Sequence, residues 1–235
     1  MSSDHKTFNY DELAKFYDKI FNKDYEREVN FIAKIFKKYN VKTILDVGCG
    51  TGEHIQRLEK LGFKCDGLDI SQKMIDIAKK KTKNARFYRA DMKNFDLRKK
   101  YDAILCMFAT FNYNISIREA KRTLTNFKKH LTRKGLVLLD LHNVWKNGKK
   151  EIKNKNTEVI MKWVFNKKTR IEKTNAVFKI GNKVIKDAHT FRIFSIRELK
   201  QLFTEVGFKK ILFYENYTFK KPTSRSKNIE VVGLL

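Results

Sequence analysis

"ILDVGCGTGEH" (Ile44–His54) sets three glycines, Gly48, Gly50 and Gly52, into five residues directly after an apolar run. A glycine-rich turn between a strand and a helix lets a ligand approach the main chain closely, because no Cβ intervenes. Two common ligand types fit this turn poorly. No Gly-Lys-Ser/Thr follows, so nothing would hold a terminal phosphate and its magnesium. The spacing is GxGxG rather than the GxGxxG of dinucleotide sites, and Asp46 ends the strand just before it. A carboxylate there faces a pyrophosphate badly and a ligand ammonium well.

On either side of this turn the chain alternates apolar strands with amphipathic helices. "KTILDVG" is followed by a helix after Gly52, "FKCDGLDI" by a helix from Ser71, and then come "ARFYRA" and "YDAILCMF". A helix opening with "SIRE" and the strand "GLVLLDL" complete the run. Ser116 with Glu119, and later Ser195 with Glu198, have capping-box spacing, and Gly207 suits a helix stop. Repeated units of this length predict a doubly wound, Rossmann-like α/β sheet with helices on both faces. Upstream, Leu13, Phe16, Tyr17 and Ile20, then Val29, Ile32, Ala33 and Phe36, fall at helical spacing, which predicts two helices before the first strand. Downstream, "EVIMKWVF", "RIEKTNAVFKI" and "HTFRIFS" predict an antiparallel insert of about three strands, with turns at "NKKT" and "GN". Four regions are expected: a helical lid over 1–40, the core over 41–150, an insert over 151–194 forming a substrate or dimer layer, and a last helix and two strands over 195–235.

The chain has 235 residues, 42% of them hydrophobic and 13% aromatic, enough to support a packed core. No stretch approaches the roughly 20 apolar residues of a membrane span, and "MSSDHKTFNY" has no apolar signal core, so a cytoplasmic protein without a membrane partner is expected. Cys49, Cys65 and Cys106 have neither CxxC spacing nor a histidine cluster nearby, so they are read as buried space-fillers and no metal is expected. The formal net charge of +26 favours an anionic partner, yet the lysines are spread along the whole chain. A lysine-rich genome explains that spread as well as a nucleic-acid footprint does.

Two further acids complete the pattern begun at Asp46. Asp69 ends the second strand about 20 residues past the turn, where a carboxylate can accept both hydroxyls of a ribose. Asp91, in "RADM" after the third strand, sits where it can accept from an adenine amino group. Acids at three successive strand tips suit a ligand with an ammonium, a ribose, an adenine and a sulfonium, which is S-adenosylmethionine.

Through "LDVGCGTG", "GLDIS", "ADM" and "YDAILCMF", in that order, the chain resembles the class I S-adenosylmethionine-dependent methyltransferases. The resemblance implies a seven-stranded sheet with Asp46 and the amides of Gly48, Gly50 and Gly52 facing the methionyl end of the cofactor. It gives Asp69 to the ribose and Asp91 with the Met92 amide to the adenine. Tyr17, Tyr25, Cys49, Ile70, Met74, Ala90, Cys106, Met107 and Phe108 complete the expected cofactor set.

The acceptor is approached by exclusion. The single proline is Pro222, so "MFATFNYN" after the fourth strand lacks the Asn/Asp-Pro-Pro-Tyr turn of exocyclic-amine enzymes, and no cysteine follows a proline as in cytosine-C5 enzymes. "YDELAKFYDKIF", "MFATFNYN" and the β-rich insert instead resemble the nucleotide-linked amino-sugar N,N-dimethyltransferases and related small-molecule enzymes. That resemblance implies a small-molecule amine acceptor, with Tyr17 beside the transferring methyl. Tyr113 stands where those enzymes tend to carry histidine. An aromatic wall of Tyr17, Phe108, Phe111, Tyr113 and Trp145 would favour cationic groups, although Phe108 and Phe111 also read as ordinary core aromatics. Arg192 joins the expected substrate contacts. The catalytic set is Tyr17, Tyr113 and His142, the last as candidate base or simply a neutral loop histidine. An RNA methyltransferase using the basic surface and a small-molecule O-methyltransferase are the alternatives, and the chain is expected to act as a monomer or homodimer.

Overall fold

The computed structural model of the chain describes residues 10–21, 23–143, 145–223 and 225–235; the amino-terminal stretch read for a signal core lies, up to residue 9, outside them. Its frame is a seven-stranded sheet in the order β10-β11-β5-β4-β1-β2-β3. The strands are β1 (Thr43–Val47), β2 (Lys64–Asp69), β3 (Phe87–Arg89), β4 (Tyr101–Cys106), β5 (Leu131–His142), β10 (Lys210–Glu215) and β11 (Asn228–Leu234). β1 to β5 run parallel, and β11 pairs antiparallel with both β5 and β10. The chain moves from β1 outward to β2 and β3, then returns to lay β4 on the other side of β1. That reversal opens a crevice beyond the carboxyl ends of β1 and β4, the usual ligand position in such sheets.

Alternation along each strand feeds two cores. On one face Leu45, Val47, Ile104 and Leu139 meet Leu124 and Phe127 of α6 (Ile117–Lys129) and Leu199 and Phe203 of α7 (Ile196–Val206). On the other, Ile44, Ala103, Leu105 and Leu138 meet Ile32 and Phe36 of α3 (Tyr25–Lys38) and Ile55 and Leu58 of α4 (Glu53–Lys60). α3 therefore belongs to the sheet's own helical layer, and the expectation that both amino-terminal helices form a lid is corrected. The stretch before it is also less regular than its spacing predicts: α1 (Tyr10–Leu13) and α2 (Tyr17–Ile20) are single turns joined by a 3-10 turn. A fifth core helix, α5 (Gln72–Lys81), is capped by Ser71, whose hydroxyl accepts from the Met74 amide.

The two predicted capping boxes differ. Ser195 and Glu198 bond reciprocally at α7, and Gly207 ends that helix in the left-handed region. At α6 the Glu119 amide donates to Ser116, but the Glu119 carboxylate accepts from Ile115 rather than from the cap itself.

The insert has four strands, not three: β6 (Gly148–Asn154), β7 (Thr157–Asn166), β8 (Ile171–Ile180) and β9 (Lys183–Arg192), forming their own antiparallel sheet. The inner face of this sheet closes over the amino-terminal turns. Leu13 and Ile20 are buried against Val159, Phe178 and Ile185. Each such side chain contributes about 1.5–3 kcal/mol of burial, which holds the amino-terminal segment between the insert and the crevice.

Gly67, in the middle of β2, marks how tightly the ligand edge is packed. A Cβ there would lie 2.6 Å from the Phe87 ring and 2.8 Å from Cys49 Sγ. Gly67→Ala is expected to cost about 1–3 kcal/mol, lowering the thermal unfolding midpoint by roughly 3–9 °C. An unchanged midpoint would show that the glycine turn yields at no cost.

Candidate active site

The glycine turn is built by internal hydrogen bonds. Gly48 and Cys49 amides both donate to the Leu68 carbonyl (2.7 and 3.1 Å), and the Gly52 amide donates to the Cys49 carbonyl (3.0 Å). Gly50 donates to Asp69 Oδ2 at 2.8 Å. All three glycine amides are thus engaged within the protein, which corrects the expectation that they face a ligand. Their contribution is conformational: each has φ between +52° and +80°, and a Cβ at Gly48 would strike Thr110 at 2.5 Å. Asp69 Oδ1 also accepts from the Ser71 amide at 2.9 Å, and with the Ile70 amide as a further backbone donor the carboxylate still keeps acceptor capacity.

Of the residues singled out for a cofactor, Tyr17, Gly48, Gly50, Asp69, Ile70, Met74, Ala90, Asp91, Met92 and Phe108 line one cavity, joined by Tyr10, Val47, Leu68, Lys93, Thr110 and Tyr113. The others lie outside its lining. Cys49 and Cys106 are buried thiols, and Met107 is buried in the core. Gly52 caps α4 in the left-handed region. Tyr25 packs edge-on to His54 and under the Arg57 guanidinium. Asp46 is 1% exposed beneath the turn, and neither of its carboxylate oxygens has a hydrogen-bond partner. Burial, reinforced by the nearby Asp69 charge, pushes its carboxyl up to about 6.

A second cavity lies under the insert and shares Tyr10, Tyr17, Phe108 and Tyr113 with the first. The Tyr10 and Tyr113 hydroxyls bond at 2.8 Å, and the Tyr17 and Phe108 rings meet edge to face. Burial is the main cause that pushes the phenols of Tyr10, Tyr17 and Tyr113 up, so the wall between the cavities stays uncharged. Phe108 and Ala109 are both left-handed, with φ of 56° and 57°. The Phe108 amide donates to Asp140 Oδ2, which also accepts from the Tyr217 hydroxyl at 2.6 Å.

His142 lines this second cavity, with Nε2 at 3.6 Å from Glu172 Oε2. Three predicted substrate contacts do not line it. Phe111 is fully buried against Phe194 in the sheet core. Trp145 donates to Asn143 and packs against Phe165 and Arg170. Arg192 is spent on Glu198 and the Thr169 carbonyl, locking β9 to the start of α7. In their place stand Lys150, Met161, Trp163, Glu172, Thr174, His189 and Phe191 from the inner face of the insert, with Phe21, Lys23, Asp140, Tyr217 and Asn228. The available signal for the insert residues was period-two alternation, since Glu172, Thr174, Ala176 and Phe178 share one face.

A seven-stranded sheet of this order, with a GxGxG turn after β1 and acids at the tips of β2 and β3, is the Rossmann-like fold of the class I methyltransferases. Residues 44–135 match the family model described as a methyltransferase domain. A protein of Geobacillus sp. (strain WCH70) named as a candidate methyltransferase is 28% identical over 95% of this chain and 98% of its own. The dTDP-3-amino-3,6-dideoxy-alpha-D-glucopyranose N,N-dimethyltransferase of Streptomyces fradiae is 31% identical, over 55% of this chain and about half (52%) of its own length. The crystal structure of an S-adenosylmethionine-dependent methyltransferase from Clostridium acetobutylicum ATCC 824 superposes with a TM-score of 0.86 at 21% identity, covering 96% of this chain and 98% of that one. Residues 44–135 are similar to that methyltransferase domain family, the chain has the fold of the S-adenosylmethionine-dependent methyltransferases along its length, and S-adenosylmethionine is its cofactor. Among the described residues, no helix is long and apolar enough to cross a membrane.

Behind the second cavity, Glu230 on β11 sits directly opposite Asp140 on β5 and is fully buried. Burial first, and the Asp140 charge second, push the Glu230 carboxyl up to about 8. The folded chain therefore holds this proton more tightly than the unfolded chain. The associated stability is fully present below the ordinary carboxyl range and is lost as pH rises through it toward about 8. Glu230→Gln, which stays neutral, is expected to raise the unfolding midpoint by at least about 3 °C at alkaline pH and to converge with wild type in mild acid. Parallel midpoint curves across that range would overturn the assignment.

Proposed function

We propose that this enzyme methylates a small-molecule amine, amino-sugar-like in kind, bound in the cavity beneath the insert. The observation that carries the reading is the shared wall: Tyr10, Tyr17, Phe108 and Tyr113 border both cavities, so a group in one faces a group in the other across a few aromatic side chains. The name of the Streptomyces fradiae relative supports the amine. The first cavity suits the cofactor on the chemistry of its donor set. Asp69 has acceptor capacity for a ribose and Asp91 is set to read an adenine, while Asp46, a partnerless carboxylate buried beneath the turn and outside the lining, adds negative charge behind the site.

S-adenosylmethionine supplies an electrophilic methyl group on a positively charged sulfur. The task left to the protein is to hold an acceptor lone pair in line and close to it, which is where most of the rate of such a transfer arises. Neutral phenol faces stabilise a cationic centre without competing for the methyl. An amine attacks with its own lone pair, so no deprotonated tyrosine is required.

The amino-terminal turns act in this reading as the lid. Asp11 accepts from the Ser71 hydroxyl at 2.5 Å, and Asp18 accepts from Thr51 at 2.6 Å and from Lys81 at 2.5 Å. Each latch grips a loop or helix that borders the cofactor cavity, so closure excludes water from both sides of the wall.

Two experiments test these assignments. Asp69→Ala is expected to weaken S-adenosylmethionine binding at least about tenfold by calorimetry, the loss of charge-assisted bonds, with the circular dichroism of the sheet retained. Unchanged affinity would remove Asp69 from the cofactor site. For the acceptor, methyl transfer should rise with pH through the amine's own pKa, because an ammonium has no lone pair. Tyr113→Phe, which keeps the ring and loses one hydrogen bond of about 0.5–1.5 kcal/mol, should retain substantial activity, while Tyr113→Ala should lose far more. Equal inactivity of the two would instead assign Tyr113 as a base for a hydroxyl acceptor.

A further inference from the structure

The insert places a charged side chain where its pattern calls for an apolar one. Glu172 stands across from Phe165 on β7 and Phe191 on β9, so the three side chains share the inner face. The residue is 2% exposed. Oε1 accepts from the Thr174 hydroxyl at 3.1 Å, but Oε2 has no hydrogen-bond partner. His142 Nε2, at 3.6 Å, is too distant to serve. A carboxylate taken out of water with one oxygen open is costly unless something else supplies the missing donor. The cavity that Glu172 lines is the place from which that donor can come.

The neighbours select the chemistry of the donor. Lys23 and Lys150 line the same cavity, and its other carboxylate, Asp140, is already engaged by the Phe108 amide and the Tyr217 hydroxyl, so a second fixed cation on the acceptor would meet two ammonium groups. A hydroxyl avoids this conflict: it can donate to Glu172 Oε2 while accepting from His142. Phe191 also sets the spacing, since its ring packs edge-on against Tyr113 with centroids 4.7 Å apart, placing Glu172 beyond the aromatic wall rather than at it. We propose that Glu172 Oε2, with His142 beside it, receives a hydroxyl of the acceptor, so that the enzyme selects hydroxylated amines over plain ones. This rests on the reading of the cavity beneath the insert as the acceptor site.

The test uses three probes: methyl 3-amino-3-deoxyglucoside, cyclohexylamine as the ring amine without hydroxyls, and methyl glucoside as the ring with hydroxyls and no amine. Each is titrated by calorimetry into the full chain loaded with S-adenosylhomocysteine, for wild type, Glu172→Gln and Glu172→Met. Wild type should prefer the amino glycoside to cyclohexylamine. Glu172→Met should reduce that preference at least tenfold, with Glu172→Gln, which keeps an acceptor oxygen, falling between. An equal loss for both amines would make Glu172 merely structural, and an unchanged preference or no preference in wild type would likewise overturn the inference. If Glu172→Met does not fold, Glu172→Gln decides alone: a reduced preference for the amino glycoside supports the inference and an unchanged one overturns it. Glu172-dependent binding of methyl glucoside, with neither amine methylated when S-adenosylmethionine replaces S-adenosylhomocysteine, would sustain the hydroxyl contact while refuting the amine reading.

Discussion

The Asp69 carboxylate, accepting from the Gly50 amide on one side and the Ser71 amide on the other, holds the first two strand tips in one arrangement. Remove it and two buried donors lose their partner at the point where the sheet reverses. The constraint also explains what kind of ligand the glycine turn can serve. With its amides committed inward, the turn is not a phosphate cradle; it is a place where backbone comes close to a neutral or cationic group. The same Ser71 whose amide meets Asp69 offers its hydroxyl to Asp11 of the amino-terminal turns, so the β2 tip and that segment share one residue.

A second carboxylate does comparable work on the acceptor side. Asp140 Oδ2 binds the Phe108 amide and the Tyr217 hydroxyl, and each belongs to a consecutive pair of left-handed residues, Phe108 with Ala109 and Tyr217 with Asn216. Non-glycine residues in that region are strained and persist only where the surroundings over-determine them. One oxygen thus fixes two turns on either side of β5, one after β4 and one after β10, and presents the Phe108 ring to both cavities. The Lys23 ammonium, 4.0 Å over that ring and paired to Glu28, fixes its other face.

What the sequence discloses follows from how local each cause is. Asp69 and Asp91 are legible because a strand tip before a turn is set by residues within a short window, and the parallel topology then brings those tips together. Phe111 and Phe108 are not separable in this way. They lie three residues apart on one turn, and only the left-handed geometry at Phe108, imposed by Asp140 from β5, sends one ring to the cavities and leaves the other in the core. Trp145 and Trp163 pose the same difficulty, since cross-strand register decides which one overhangs the acceptor cavity. The sequence "GKKEIKN" hides β6 because its inward positions include Gly148 and Lys150, so alternation is lost on an edge strand. Arg192 reads as a substrate contact until Glu198 is found beside it.

The insert separates two kinds of change along its strands. Inner residues such as Trp163, Glu172 and His189 overhang the cavity beneath the insert, while the residues between them, Val164 and Lys173 among them, point outward. None of the inner residues takes part in the hydrogen bonds that shape the glycine turn. On the proposed reading of that cavity, acceptor preference can drift by single substitutions at every second position, with cofactor affinity left under independent selection. A lineage could therefore acquire new methylation substrates gradually, without passing through forms that have lost the methyl donor.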